Sequence, residues 1–111
     1  PGCTYCHPEV ASVDLGGRRV NKKGHEIKIG RFPFSASGRA RAQGDSTGLI
    51  KIISDAKHGE ILGAHIIGSS ATELIAELTL SANAELTVKE LMNTIHAHPT
   101  ISEGIMEASA D

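Results

Sequence analysis

The chain has 111 residues, of which 40% are hydrophobic and 22% charged, and its formal net charge is −2 at pH 7. This length suits one compact domain, and the balanced charge argues against a dedicated nucleic-acid-binding protein, which normally carries a basic face. No apolar stretch approaches the roughly 18 residues that cross a bilayer, and no signal peptide opens the chain. We therefore expect a cytoplasmic protein that binds neither nucleic acid nor membrane.

The N-terminal stretch contains Cys3, Cys6 and His7 in the C-x-x-C-H spacing by which haem c is attached. A haem protein also needs an axial ligand, an apolar pocket and an oxidising compartment, and the sequence indicates none of these. A redox dithiol would need a βαβ context, which is missing too. We expect no haem and no metal, and a metal or haem binder is an alternative that an absorption spectrum and elemental analysis would test.

The first half of the chain predicts mainly strands and loops. Residues 14–23 are polar and predict a short helix, weakened by two adjacent glycines. Apolar and polar residues alternate over 25–34, which is typical of a half-buried strand. Residues 35–48 are rich in Ser, Gly and Ala and predict a loop with a helical turn near Arg39.

Two Ile-rich segments, 49–55 and 60–68, are separated only by the turn-like residues 56–59. This arrangement predicts an antiparallel hairpin, because strands joined by so short a turn must run in opposite directions.

The second half of the chain predicts helices. A Ser or Thr precedes a Glu by three residues at each predicted start, in the pairs Ser70–Glu73, Thr87–Glu90 and Thr100–Glu103. This spacing is that of a capping box and predicts three helix starts. Strands followed by helices indicate an α+β fold, an antiparallel β-sheet flanked by helices.

The stretch before the last predicted helix carries a candidate catalytic pair. His98 precedes Pro99, so its backbone is expected to be extended, and Glu103 falls in the first helical turn. A carboxylate at that position can fold back onto the imidazole, as in a base held by an orienting acid. The alternative is that Glu103 only completes a capping box. His96 would point the same way as His98, but no third metal ligand is suggested nearby.

The octapeptide HAHPTISE (96–103), followed by EA (107–108), resembles the C-terminal signature of the dihydrolipoamide dehydrogenase family. Further segments resemble the same family in the same order: TYCHPEVASV (4–13), GHEIKIGRFPFSASGRA (24–40), GLIKII (48–53) and ILGAHIIGSSATELIAE (61–77). A shorter His-Pro-Thr form is typical of the related glutathione reductases. The additional His96 and Ala97 favour the lipoamide enzymes.

The resemblance implies a dimerisation, or interface, domain that builds a homodimer. It implies that His98 takes a proton from dihydrolipoamide in the active site of the neighbouring subunit, and that Glu103 holds this imidazole. It also implies that the His98–Pro99 peptide is cis and lies near the FAD of the partner subunit.

The chain lacks the two motifs on which the rest of such an enzyme depends. It contains no G-x-G-x-x-G fingerprint for a dinucleotide and no C-x-x-x-x-C redox pair. Residues 1–111 are therefore interpreted as a single interface domain that binds no FAD or NAD by itself and is inactive alone. The chain starts on Pro1 rather than on Met, which suggests either processing or excision from a longer polypeptide.

The parent is expected to contain FAD and NAD domains and to serve lipoyl-bearing 2-oxo acid dehydrogenase or related complexes. The alternatives are the same domain of a glutathione-reductase-like disulfide reductase, or a non-catalytic dimerisation module.

Overall fold

Residues 2–5, 8–14 and 26–111 are described by a computed structural model, with the side chain of Asp14 excepted. The helix predicted over 14–23 is wrong at its first residue, because Asp14 pairs with Gly63 as the last residue of a strand. The rest of that prediction, and the Cys6 and His7 of the C-x-x-C-H spacing, lie outside the described residues.

The described strands form one five-stranded sheet in which neighbouring strands are antiparallel. Their order across the sheet is β1-β2-β5-β4-β3, so β1 and β3 are the edges. The strands are β1 (Gly2–Thr4), β2 (Glu9–Asp14), β3 (Ile27–Pro33), β4 (Leu49–Asp55) and β5 (Ile61–Gly68). The predicted strand near 25–34 and the predicted hairpin of β4 and β5 are both confirmed.

Helices pack against one face of this sheet and complete the α+β fold that the sequence predicts. A 3-10 turn (Phe34–Ala36) leads into α1 (Gly38–Ala42), which confirms the helical turn expected near Arg39. The remaining helices are α2 (Ala71–Asn83), α3 (Val88–Asn93) and α4 (Glu103–Ala110). None of the helices in the part of the chain that the structure describes is long and apolar enough to cross a membrane.

The core is aliphatic and lies between the sheet and the helices. On the sheet side, cross-strand neighbours Ile52 and Ala64 are buried together, because alternate residues of β4 and β5 point to the helical face. Leu78 of α2 and Ile105 of α4 are fully buried opposite them. His65, at an alternating position, is exposed on the other face.

Helix α4 lies against the edge of the sheet at Gly30. A Cβ atom added to Gly30 would stand 2.0 Å from the carbonyl oxygen of Ala108, so only glycine permits this approach. The backbone N–H of the next residue, Arg31, donates to the carboxylate of Asp111 at 3.0 Å. The position of α4, and with it the residue at its start, therefore depends on the close contact with β3.

The capping boxes predicted at the starts of α2 and α3 have different outcomes. At α3 the box is present, and the Glu90 carboxylate accepts the Thr87 backbone N–H at 2.8 Å. At α2 the start is correct but the box is wrong, because Ser70 has a left-handed backbone (φ 65°) and makes no side-chain cap. Instead, Glu9 of β2 accepts the Thr72 backbone N–H at 3.1 Å and the Thr72 hydroxyl at 2.8 Å.

Candidate active site

The segment that joins α3 to α4, residues 94–102 and hereafter the site loop, carries the candidate pair. Thr94 ends α3, and its hydroxyl donates to the carbonyl of Glu90 at 2.6 Å. The His98–Pro99 peptide within the loop is cis, as the resemblance implied. Proline explains this, since its tertiary amide removes most of the preference for trans. The loop then turns into α4 at Glu103.

The structure brings His98 and Glu103 together. Nδ1 of His98 lies 2.9 Å from Oε2 and 3.0 Å from Oε1 of Glu103. The same Oε1 accepts the backbone N–H of Thr100 at 2.8 Å. Glu103 thus contacts the imidazole and supplies one half of the predicted capping box, because its carboxylate accepts the Thr100 N–H. The other half is wrong: the helix is preceded by Ser102, which makes no side-chain cap, and the Thr100 hydroxyl donates to the carbonyl of Ala97.

The two members of this pair differ in exposure. The His98 side chain is 80% exposed, whereas that of Glu103 is 26% exposed. The imidazole thus points away from the core of its own domain, with the carboxylate behind it. No further hydrogen-bond partner of the His98 ring is found among the described residues.

Hydrogen bonds keep the carboxylate ionised. The Thr100 N–H, followed by the His98 ring, lowers the pKa of Glu103 below its usual value of 4.5. An ionised carboxylate can only accept hydrogen bonds, so Nδ1 of His98 is assigned as the donor. With the proton on Nδ1, the lone pair of a neutral imidazole is on Nε2 and can accept a proton from another molecule.

A groove of about 320 Å³ runs beside the pair and mixes polar with apolar walls. It is lined by Phe32, Ala36, Ser37, Gly38, His98, Thr100, Glu103, Gly104 and Glu107. The pair therefore borders an accessible surface between α1, β3 and α4.

A second His–Glu pair lies in the same loop and was missed by sequence reasoning. Nε2 of His96 lies 2.8 Å from Oε2 of Glu77 in α2, and the His96 side chain is only 6% exposed. The expectation that the His96 and His98 side chains point the same way is therefore wrong, because the contact with Glu77 of α2 holds the His96 ring against the domain. Glu77 precedes His96 by 19 residues, and no local spacing connects them.

Among residues 2–5, 8–14 and 26–111, no three His, Cys, Asp or Glu side chains gather into a group that could hold a metal ion. Cys3 lies half-buried in β1 as a free thiol.

Solved structures place this fold in a known class. LpdA from Mycobacterium tuberculosis superposes with a TM-score of 0.87 at 24% identity, covering 98% of this chain and 24% of that chain. The HOCl-induced flavoprotein disulfide reductase RclA from Escherichia coli superposes with a TM-score of 0.88 at 26% identity, covering 98% and 25%. The five-stranded sheet with its helices is thus the dimerisation fold of disulfide oxidoreductases.

The sequence defines the family directly. The family described as pyridine nucleotide-disulphide oxidoreductase, dimerisation domain, matches residues 1–109, and the chain belongs to it. A dihydrolipoyl dehydrogenase from Rhizobium etli is 50% identical over 111 residues, which are all of this chain and 23% of that protein. One from Thermus scotoductus is 49% identical over 109 residues, or 98% and 24%. The chain spans about a quarter of the length of these relatives.

Proposed function

We propose that this chain is the dimerisation domain of a dihydrolipoamide dehydrogenase, and that it supplies His98 as a catalytic base to the partner subunit. Glu103 orients that base. The observation that carries the proposal is the contact of 2.9 Å between Nδ1 of His98 and Glu103, made by a ring whose side chain is 80% exposed. A base that faces outward from its own domain suits chemistry housed in another polypeptide.

The chemistry follows from the assigned proton positions. Nε2 of His98 accepts the thiol proton of dihydrolipoamide, while Glu103 keeps the other ring nitrogen protonated. The resulting imidazolium is stabilised by the adjacent carboxylate. This step is needed because a thiol with a pKa near 8.5 is only about 3% ionised at pH 7, and the thiolate is the reactive form. The thiolate then attacks one sulfur of a redox disulfide held by the partner subunit; a mixed disulfide forms, the original S–S bond breaks, and the other sulfur leaves as a thiolate.

The remaining parts of the active site are assigned to other domains of the parent. The 111 residues contain neither a G-x-G-x-x-G fingerprint nor a C-x-x-x-x-C pair, so FAD, NAD and the disulfide need other sequence. A flavin bound by the other domains would supply the electron acceptor, and the exposed His98 and Pro99 would lie beside the flavin of the partner subunit. We infer a cytoplasmic homodimer that serves lipoyl-bearing 2-oxo acid dehydrogenase or related complexes, and an isolated chain without activity.

A chimeric enzyme tests the proposal. This chain replaces the corresponding segment of the Rhizobium etli dihydrolipoyl dehydrogenase, to which it is 50% identical. His98→Gln is expected to lower the turnover of dihydrolipoamide by roughly 10²–10⁴-fold while the dimer stays intact, since that is the usual contribution of a general base. His65→Gln, on the exposed sheet face, is the matched control.

Full turnover by the His98→Gln chimera would mean that the motif only starts a helix and that the chain is a non-catalytic dimerisation module. Turnover of dihydrolipoamide and of glutathione disulfide by the parent chain distinguishes a lipoamide enzyme from a glutathione-reductase-like one.

A further inference from the structure

We propose that His96 is a positioning residue, which anchors the site loop to helix α2 through Glu77 and thereby sets the location of His98. This inference rests on the proposed function, because a position matters for turnover only if His98 acts as the base. It gives a structural role to His96, which with Ala97 is the part of the motif that the shorter His-Pro-Thr form lacks.

The anchor is the long-range hydrogen bond of the loop. Nε2 of His96 reaches Glu77, 19 positions away, at 2.8 Å. The other side-chain hydrogen bonds that the structure describes in the site loop join residues at most five positions apart. These bonds join the loop only to itself and to its flanking helices α3 and α4, and none of them reaches α2. The His96–Glu77 contact does so.

The imidazole is held on both sides. Its Nδ1 lies 2.9 Å from the carbonyl oxygen of Thr94, and its Nε2 faces the Glu77 carboxylate. Both of these oxygen atoms are acceptors. The His96 side chain is only 6% exposed, so an apolar ring would fill the same buried space while removing every ring nitrogen that these two oxygen atoms contact.

A short and constrained connection links the anchor to the base. Ala97 alone separates His96 from His98, and its carbonyl accepts the Thr100 hydroxyl at 2.5 Å. The cis peptide follows directly at Pro99. A displacement of His96 is therefore transmitted to His98 through two peptide units. Since a displacement of about 1 Å in a catalytic group can cost about 10²-fold in rate, the anchor acts on kcat.

A double-mutant cycle in the chimera described above tests the inference. His96→Phe keeps a planar ring in the buried position but removes both polar contacts of the ring nitrogens, and it is expected to lower kcat by about 10–100-fold with little change in KM. His96→Gln keeps one donor for Glu77 and is expected to recover part of this loss. His65→Phe is the control, because it makes the same replacement on the exposed sheet face. Thermal unfolding and dimer size are measured for every variant.

The decisive comparison is His96→Phe in a His98→Gln background. If His96 acts through His98, its replacement has no further effect once the base is absent. Three outcomes would overturn the inference alone: full turnover by His96→Phe, a rate loss that persists undiminished beside His98→Gln, or His96→Gln as damaging as His96→Phe. Full turnover by His98→Gln alone would overturn the proposed function, and the inference with it, so the two failures are distinguishable.

Discussion

Replacing Gly30 by Ala should loosen the attachment of α4 and so disturb both the fold and the site. The new methyl group would stand 2.0 Å from the Ala108 carbonyl oxygen, whereas Cβ atoms in proteins essentially never come closer than 3.0 Å to such an atom. The helix must move by at least about 1 Å, since no side-chain rotation relieves a contact with backbone. Overpacking of this kind costs about 1–3 kcal/mol in the free energy of unfolding, and we expect the upper end. Glu103 begins the displaced helix, so its contact with His98 should lengthen.

The assay is thermal unfolding of the 111-residue chain together with turnover in the chimera. A loss of about 3 kcal/mol would appear as a decrease in melting temperature of roughly 12 °C or more. Gly38→Ala is the matched control, because nothing lies within 4 Å of its added Cβ, and it should change stability by at most about 1 kcal/mol, upward. Equal stability of the two variants would refute the argument that the close contact at Gly30 positions α4.

Three further predictions concern stability. Because hydrogen bonds lower the pKa of Glu103, its contribution is complete above about pH 4.5 and is lost as the pH falls through the lower folded-state value; Glu103→Gln should therefore flatten the acid side of a urea-unfolding pH profile. Glu9→Ala should lower the free energy of unfolding by about 1 kcal/mol, whereas Ser70→Gly should leave it unchanged. If Ser70→Gly were the more destabilising of the two in denaturant unfolding, Ser70 rather than Glu9 would be the cap of α2. Leu78→Ala should cost about 2–5 kcal/mol, against at most about 0.5 kcal/mol for Leu80→Ala, which is 66% exposed; similar calorimetric losses would contradict the assigned core.

Local periodicity predicted most of the fold because the physical cause is itself local. The alternation in β3 and the Ile-rich pair of β4 and β5 indicate which residues face the core, and the observed pairing of Ile52 with Ala64 follows. The start of α2 was also correct. Its cap was not, since the carboxylate that performs the capping comes from Glu9, 63 positions before Thr72. A contact of that separation exists only after the sheet has formed.

The site shows the same division. His98 and Glu103 are only five positions apart in the sequence, so their contact was predictable from local spacing. Local reasoning left Glu103 open between a capping residue and an orienting acid. Its carboxylate contacts the His98 ring and accepts the Thr100 N–H, but the side chain of Thr100 does not cap α4. The Glu77 contact of His96 was not predictable, because it requires α2 to lie beside the loop.

The carboxylate of Asp111 at the Arg31 backbone N–H has a consequence for self-association. Strand β3 is an edge, and unpaired donors along an edge attract strands from other molecules. Here a negatively charged acceptor already occupies one such donor at 3.0 Å, and Pro33 in the same strand has no donor to offer. Growth of the sheet into an aggregate is thereby discouraged at β3.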